Sequence, residues 1–186
     1  MREQSRSIQN NETLFATARA VPKRRVQNGQ FLPDRNALFQ SIPKGSVGAV
    51  FGLVGGGIVK QILDMTEPQQ LHVFRFHFDG KGDIPQFAAA IAERRLVFHD
   101  CPGLEAVSDR IDWAHIMSET TLHRVEALID QALPLLRDRG LLVFNGFPSE
   151  AGVVGAVNDL AINHGCDFVA FSATSNDVML RIVDNG

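Results

Sequence analysis

Asp167–Val183 reads DFVAFSATSNDVMLRIV. It holds two strand-like apolar runs, Asp167–Ser172 and Val178–Val183, with only Ala173–Asp177 between them. A parallel return needs a crossover of roughly a dozen residues or more, so these two runs must pair as an antiparallel hairpin. The chain before them follows a different plan. Short continuous apolar runs at Val47–Leu53, Leu71–Phe76, Leu96–His99, Ile111–Ile116 and Leu141–Phe144 have the pattern of parallel strands buried on both faces. Between them lie helical segments at Gly56–Met65, the Ala-rich Ile84–Arg94, Glu119–Leu136 and Ser149–Asn163. Glu119–Leu136 places Leu122, Val125, Leu128, Ile129, Ala132 and Leu133 on one stripe. Five strand-and-helix units closed by an antiparallel hairpin predict a three-layer α-β-α sandwich around a mostly parallel, seven-stranded sheet.

Composition narrows the function. The 186 residues carry 18 Lys and Arg against 21 Asp and Glu, a net charge of −3. A nucleic-acid scaffold needs a dominant basic field, so no nucleic-acid partner is expected. Two cysteines, Cys101 and Cys166, make no disulfide framework and point to a reducing, cytoplasmic setting. Residues 1–14 lack the apolar stretch of a secretory signal. The longest uncharged apolar run, Ser46–Val59, has 14 residues with five glycines and falls short of a bilayer span, so no membrane partner is expected.

Residues 1–44 read as an N-terminal helical arm ahead of a domain at 45–186. The arm carries the cluster Lys23, Arg24 and Arg25, read as a solvated face, and a short helix over Asp34–Ile42 with Asp34 as its N-cap. An arm of this composition could exchange between subunits, which would make a homo-oligomer.

Four motifs in order carry a family resemblance. They are VFGLVGGG at Val50–Gly57, FHFDG at Phe76–Gly80, IDWAHI at Ile111–Ile116 followed by Met117, and ALPLLRDRGLLVFNGF at Ala132–Phe147. Together they resemble the class I S-adenosylmethionine-dependent methyltransferases, and within them the macrocin O-methyltransferase-like branch, over about residues 45–184. The resemblance implies a Rossmann-like sheet, S-adenosylmethionine as cofactor and a small-molecule substrate. It also implies that Gly52, Gly55 and Gly56 meet the methionine part of the cofactor, and that Asp100, in HDC at the end of the third strand, lies near its adenine. Apart from any family, a strand running into a glycine turn and a helix start lets a ligand approach the backbone and presents free N–H groups.

The departures concern the acids. Val50 stands where the branch has a carboxylate before its first glycine, and Phe76 where a carboxylate would grip the ribose; Asp79 matches a later acidic position. Met117, Glu119, Asn145 and Gly146 replace the aspartates of a divalent-metal site, and since Met cannot serve a hard cation, no metal is expected. Candidate bases are His77, His99, Glu119, His123 and Asn145, none of them singled out, while His115 reads as a packed residue inside a strand. The catalytic residue stays unassigned. Two functions fit: metal-independent methyl transfer to a small molecule, or a methyltransferase-fold binding or assembly module without catalysis. A nicotinamide-dependent oxidoreductase would rest on the glycines alone.

Overall fold

The computed structural model describes residues 21–52, 55–75, 84–100, 107, 110–117 and 121–183, without the side chains of Arg75, Ile84 and Asp100. Phe76–Gly80, Cys101, Glu119 and residues 1–20 lie outside the described residues.

Eight strands form one sheet: β1 (Gln30–Leu32), β2 (Val47–Gly52), β3 (Gln70–Arg75), β4 (Leu96–Asp100), β5 (Ile111–Met117), β6 (Leu136–Asn145), β7 (Asp167–Ser172) and β8 (Asp177–Arg181). Their order across the sheet is β1-β7-β8-β6-β5-β2-β3-β4. All neighbouring pairs are parallel except β6–β8 and β7–β8, so β8 alone runs against the rest. The hairpin read from Asp167–Val183 is therefore present.

The sheet has one strand more than the seven expected. Gln30–Leu32 pairs with Ala170–Ser172 at the sheet's edge, Ala173 donates its N–H to the Leu32 carbonyl (2.8 Å), and the Phe31 ring stacks on Phe171 at 5.3 Å. Three residues are too few to read as a strand; the open ladder of β7 recruits them. The basic cluster is also not simply a solvated face. Arg25, on the one-turn helix α1 (Lys23–Val26), bonds the Gly165 carbonyl and Asp167, both at 2.9 Å.

Helices cover both faces. One face packs α2 (Arg35–Gln40), α3 (Gly56–Thr66) and α4 (Ala88–Ala92) over Val50, Leu71, Val73, Trp113, Val143 and Met179. On the other, α5 (Leu122–Ala132) and α6 (Ala151–Asn163) pack over Ala49, Phe51, Ala114, Ile116, Leu142 and Phe144. α5 buries the stripe Val125, Leu128, Ile129 and Ala132, one turn apart as read from the sequence. Asp34 caps α2, its carboxylate accepting the Ala37 N–H at 2.9 Å.

Two helices are shorter than read. The Ile84–Arg94 segment opens as a 3-10 turn (Ile84–Phe87) before the five residues of α4. Helices usually end at or before the residue preceding a proline, and α5 ends at Ala132, leaving a 3-10 turn at Leu133–Leu135 that contains Pro134. Among the described residues no helix is long and apolar enough to cross a membrane.

Candidate functional site

The parallel strands β2, β3, β4, β5 and β6 end along one edge of the sheet, and the crevice outside the carboxyl ends of an open parallel sheet is where such folds bind ligands. Register aligns those ends. Gly52 stands opposite Met117 on one side and Arg75 on the other, and Arg75 stands opposite Asp100. Asn145 closes β6 opposite Asp177. Gly52 and Asp100 thus share this edge, two strand spacings apart, or about 10 Å.

Gly52 needs to be glycine for two reasons. Its φ of 103° lies where L side chains are rarely found, and a Cβ there would stand 2.4 Å from the Met117 carbonyl oxygen. The chain then reaches Gly55, the N-cap of α3, which has no side-chain oxygen to satisfy the helix's leading N–H groups. Gly56 is buried as the first helical residue. A Cβ placed on Gly55 or Gly57 would have no heavy atom of the described residues within 4 Å. The described packing therefore does not demand glycine at those two positions. The start of α3 suits the cofactor the resemblance implies, because its leading backbone donors can meet a carboxylate.

Beneath the edge lies a polar cluster that the sequence did not announce. Asp177, at the start of β8, has a side chain only 1% exposed and accepts two bonds from Arg35 of α2: Nε to Oδ2 at 2.8 Å and Nη2 to Oδ1 at 3.0 Å. Ser175 donates its hydroxyl to Oδ2, and Asn145 Nδ2 approaches Oδ1 at 3.4 Å. A charge this deep persists only when paired and hydrogen-bonded. The two partners stand 142 residues apart, beyond any motif; the one local signal was period-two alternation, which places Asp177 on the same face as buried Met179.

Of the candidate bases, Asn145 is half-buried on this edge and His123 lies on α5. His77 and Glu119 are outside the described residues. His99 sits in the core, its Nε2 2.8 Å from Nδ1 of His72, and its ring stacks on Phe74, which stacks on Phe51. Burial lowers its pKa, which favours a neutral imidazole within the stack. Val50 is fully buried under α3 and offers nothing to a ligand.

His115, read as a packed strand residue, is fully buried, with the Phe39 ring edge-on at 5.4 Å and, among the described residues, no hydrogen-bond partner on either ring nitrogen. Burial drives its pKa down to about 4, with the nearby Asp177 charge working against that shift and Arg35 adding to it. The folded value lies below the unfolded one near 6.5, so on acidification the unfolded chain takes up the proton first. His115 thus contributes stability that is complete above about pH 6.5 and lost as pH falls towards 4, about 3 kcal/mol in all and about 2 by pH 5. Urea midpoints at pH 7 and pH 5 should differ by that much, and His115→Leu should flatten the acid limb. An unchanged limb in the variant would mean other groups carry it.

No family model matches the chain, and no curated protein matches it in sequence. Solved structures do. A Streptococcus mutans protein in complex with SAH superposes with a TM-score of 0.55 at 15% identity, over 77% of this chain and 92% of that one. An rRNA methylase from Streptococcus thermophilus gives 0.57 at 15%, over 80% and 94%. Precorrin-6y C5,15-methyltransferase from Geobacter metallireducens gives 0.54 at 18%, over 78% and 83%. At such identity the likeness is one of fold, and the fold is that of Rossmann-like methyltransferases.

Proposed function

We propose that this chain binds S-adenosylmethionine over the carboxyl edge of β2 and α3 and transfers its methyl group to a small-molecule acceptor without a metal, in the cytoplasm. The observation that carries the reading is the turn itself. Gly52 is held at positive φ against the β5 backbone, and α3 starts on glycines, where an added Cβ on Gly55 would meet no described heavy atom within 4 Å. Bound there, the cofactor would supply an electrophilic methyl on a sulfonium. What the chain contributes is placement, since orienting donor and acceptor can account for much of a barrier to transfer. Gly55 and Gly56 would receive the methionine end and Asp100 would lie towards the adenine.

The macrocin O-methyltransferase-like branch is the narrower form of this reading and rests on the four ordered motifs. The expectation that no nucleic acid is involved loses its force, because the fold neighbours include an rRNA methylase; a small acceptor remains part of the proposal.

Titration calorimetry with S-adenosylhomocysteine tests the binding step. Because a Cβ on Gly55 would meet no described heavy atom within 4 Å, Gly55→Val should melt within a few degrees of the parent yet bind the ligand at least about tenfold more weakly. No heat at millimolar ligand, or equal affinity in the variant, would overturn the assignment. A second reading, binding without catalysis, is favoured by buried Val50 and by Met117 and Asn145 at strand ends where acids were expected. Methyl transfer to any acceptor would end it.

A further inference from the structure

At the opposite, amino edge of the sheet, α1, β1, β6, β7 and β8 meet around a cleft of about 530 Å³. α1 supplies Arg24 and Arg25, β6 supplies Arg139, and Arg181 comes from the end of β8. Asp167 is the sole carboxylate among the described lining residues, and Arg25 already holds it at 2.9 Å. In a chain of net charge −3, four arginines gathered against one acid form a local field of the opposite sign.

The backbone is bent to make this cleft. Between β5 and β6 the register passes from Ile111↔Leu136 to Trp113↔Leu141. Two residues on β5 are therefore matched by five on β6, and 137–139 stand out of the ladder. Their side chains are exposed, and Arg139 is held at φ 62°, a conformation uncommon for anything but glycine, asparagine or aspartate. Bulges of this kind re-aim side chains. Here the bulge carries Arg139 to the boundary with a second hollow of about 430 Å³ that shares Gln30, Val169, Arg139 and Arg181. In the second hollow, which Asp138 also lines, Arg137 is paired with Asp112 at 2.7 Å, so among the described residues the positive groups without an ion-pair partner at the cleft are Arg24, Arg139 and Arg181.

We propose that this amino-edge cleft binds a phosphate-bearing ligand, gripping a diphosphate or triphosphate group with Arg24, Arg139 and Arg181. Guanidinium forks meet phosphate oxygens bidentately, which suits planar, always-charged donors better than it would lysines. The volume is that of a small-ligand pocket. The little aromatic surface in its lining, from buried Phe168, leaves recognition to the phosphates rather than to a stacked base.

Inorganic pyrophosphate is the decisive probe, because it has no nucleoside that the carboxyl edge could hold. Calorimetry on the full chain should show binding that weakens as salt is raised. Arg139→Asn, which keeps a residue tolerant of positive φ, and Arg181→Gln should each weaken it at least about tenfold with S-adenosylhomocysteine behaviour unchanged. Arg24→Gln, on an exposed turn, serves if either of those melts early. ATP and a short single-stranded RNA identify the source of the phosphate: tighter ATP binding with the same arginine dependence means a free nucleotide, tighter RNA binding means a polynucleotide. No binding at millimolar pyrophosphate, or binding indifferent to all three variants, overturns the proposal.

Discussion

Arg35→Ala should cost about 3 to 5 kcal/mol and leave a protein that unfolds well below the parent's temperature. The substitution removes two charge-assisted bonds to Asp177 and leaves that carboxylate, 1% exposed, with the Ser175 hydroxyl and a distant Asn145 amide as its side-chain partners among the described residues. Losing one partner of a buried pair is costlier than losing both, because the survivor is a charge with no solvent to receive it. Arg35→Met with Asp177→Leu should therefore be milder than Arg35→Ala alone, and Arg35→Lys should recover only part of the loss, having no fork to engage both oxygens. Thermal melts of the four proteins check the order. If Arg35→Ala melts with the parent, the carboxylate has found other donors and the pair is not what secures α2 to β8.

Gly48→Ala should be comparably severe. A Cβ at Gly48 would lie 2.1 Å from Cζ2 of Trp113 and 2.2 Å from Cε2. Neither side can yield easily. The indole is fully buried and its Nε1 donates to Ser46 Oγ at 3.0 Å, while β2 is fixed by ladders to β3 on one side and β5 on the other. Overpacking in a close-packed core costs typically 1–3 kcal/mol, and a contact this short against two immobile groups belongs at about 3. A double-mutant cycle with Trp113→Phe identifies the cause: the smaller ring makes room, so the double variant should be more stable than the two single losses added together. Strict additivity in urea would show that the methyl group does its damage elsewhere.

Much of the fold was written locally. Ile111–Ile116 and Leu141–Phe144 read as buried strands because each is an unbroken apolar run, and α5 read as a helix because Val125, Leu128, Ile129 and Ala132 recur every three or four residues. Ala173–Asp177 fixed the hairpin because five residues have no room for a crossover. Local signals failed where the partner was remote. Gln30–Leu32 is a strand only because β7 offers an edge, and Asp177 is a core residue only because Arg35 comes to it from the arm. The glycine turn was legible as a place for a ligand, since Gly52 and Gly55 stand where a strand gives way to a helix. The arginine cleft was not: Arg24, Arg25, Arg139 and Arg181 are spread over more than 150 positions, and only the pairing of β6 with β8 and the packing of α1 on β7 gather them.

The first elements of the described chain are also closed by contacts made late. β1 pairs with β7, Arg25 with Asp167, and Arg35 with Asp177, the two ion pairs each across 142 residues. At a synthesis rate of roughly 5–20 residues per second, the 142 residues from Arg35 to Asp177 make Arg35 wait roughly 7–28 s after it is made before its carboxylate exists. Through that interval the central ladders of β2, β3, β4 and β5 can assemble behind it and give α2 a face to pack on, while β1 and the ion pairs of Arg25 and Arg35 still lack their partners. These early segments leave the ribosome before the strands that complete them, so β1 and both ion pairs close only after β7 and β8 have been made.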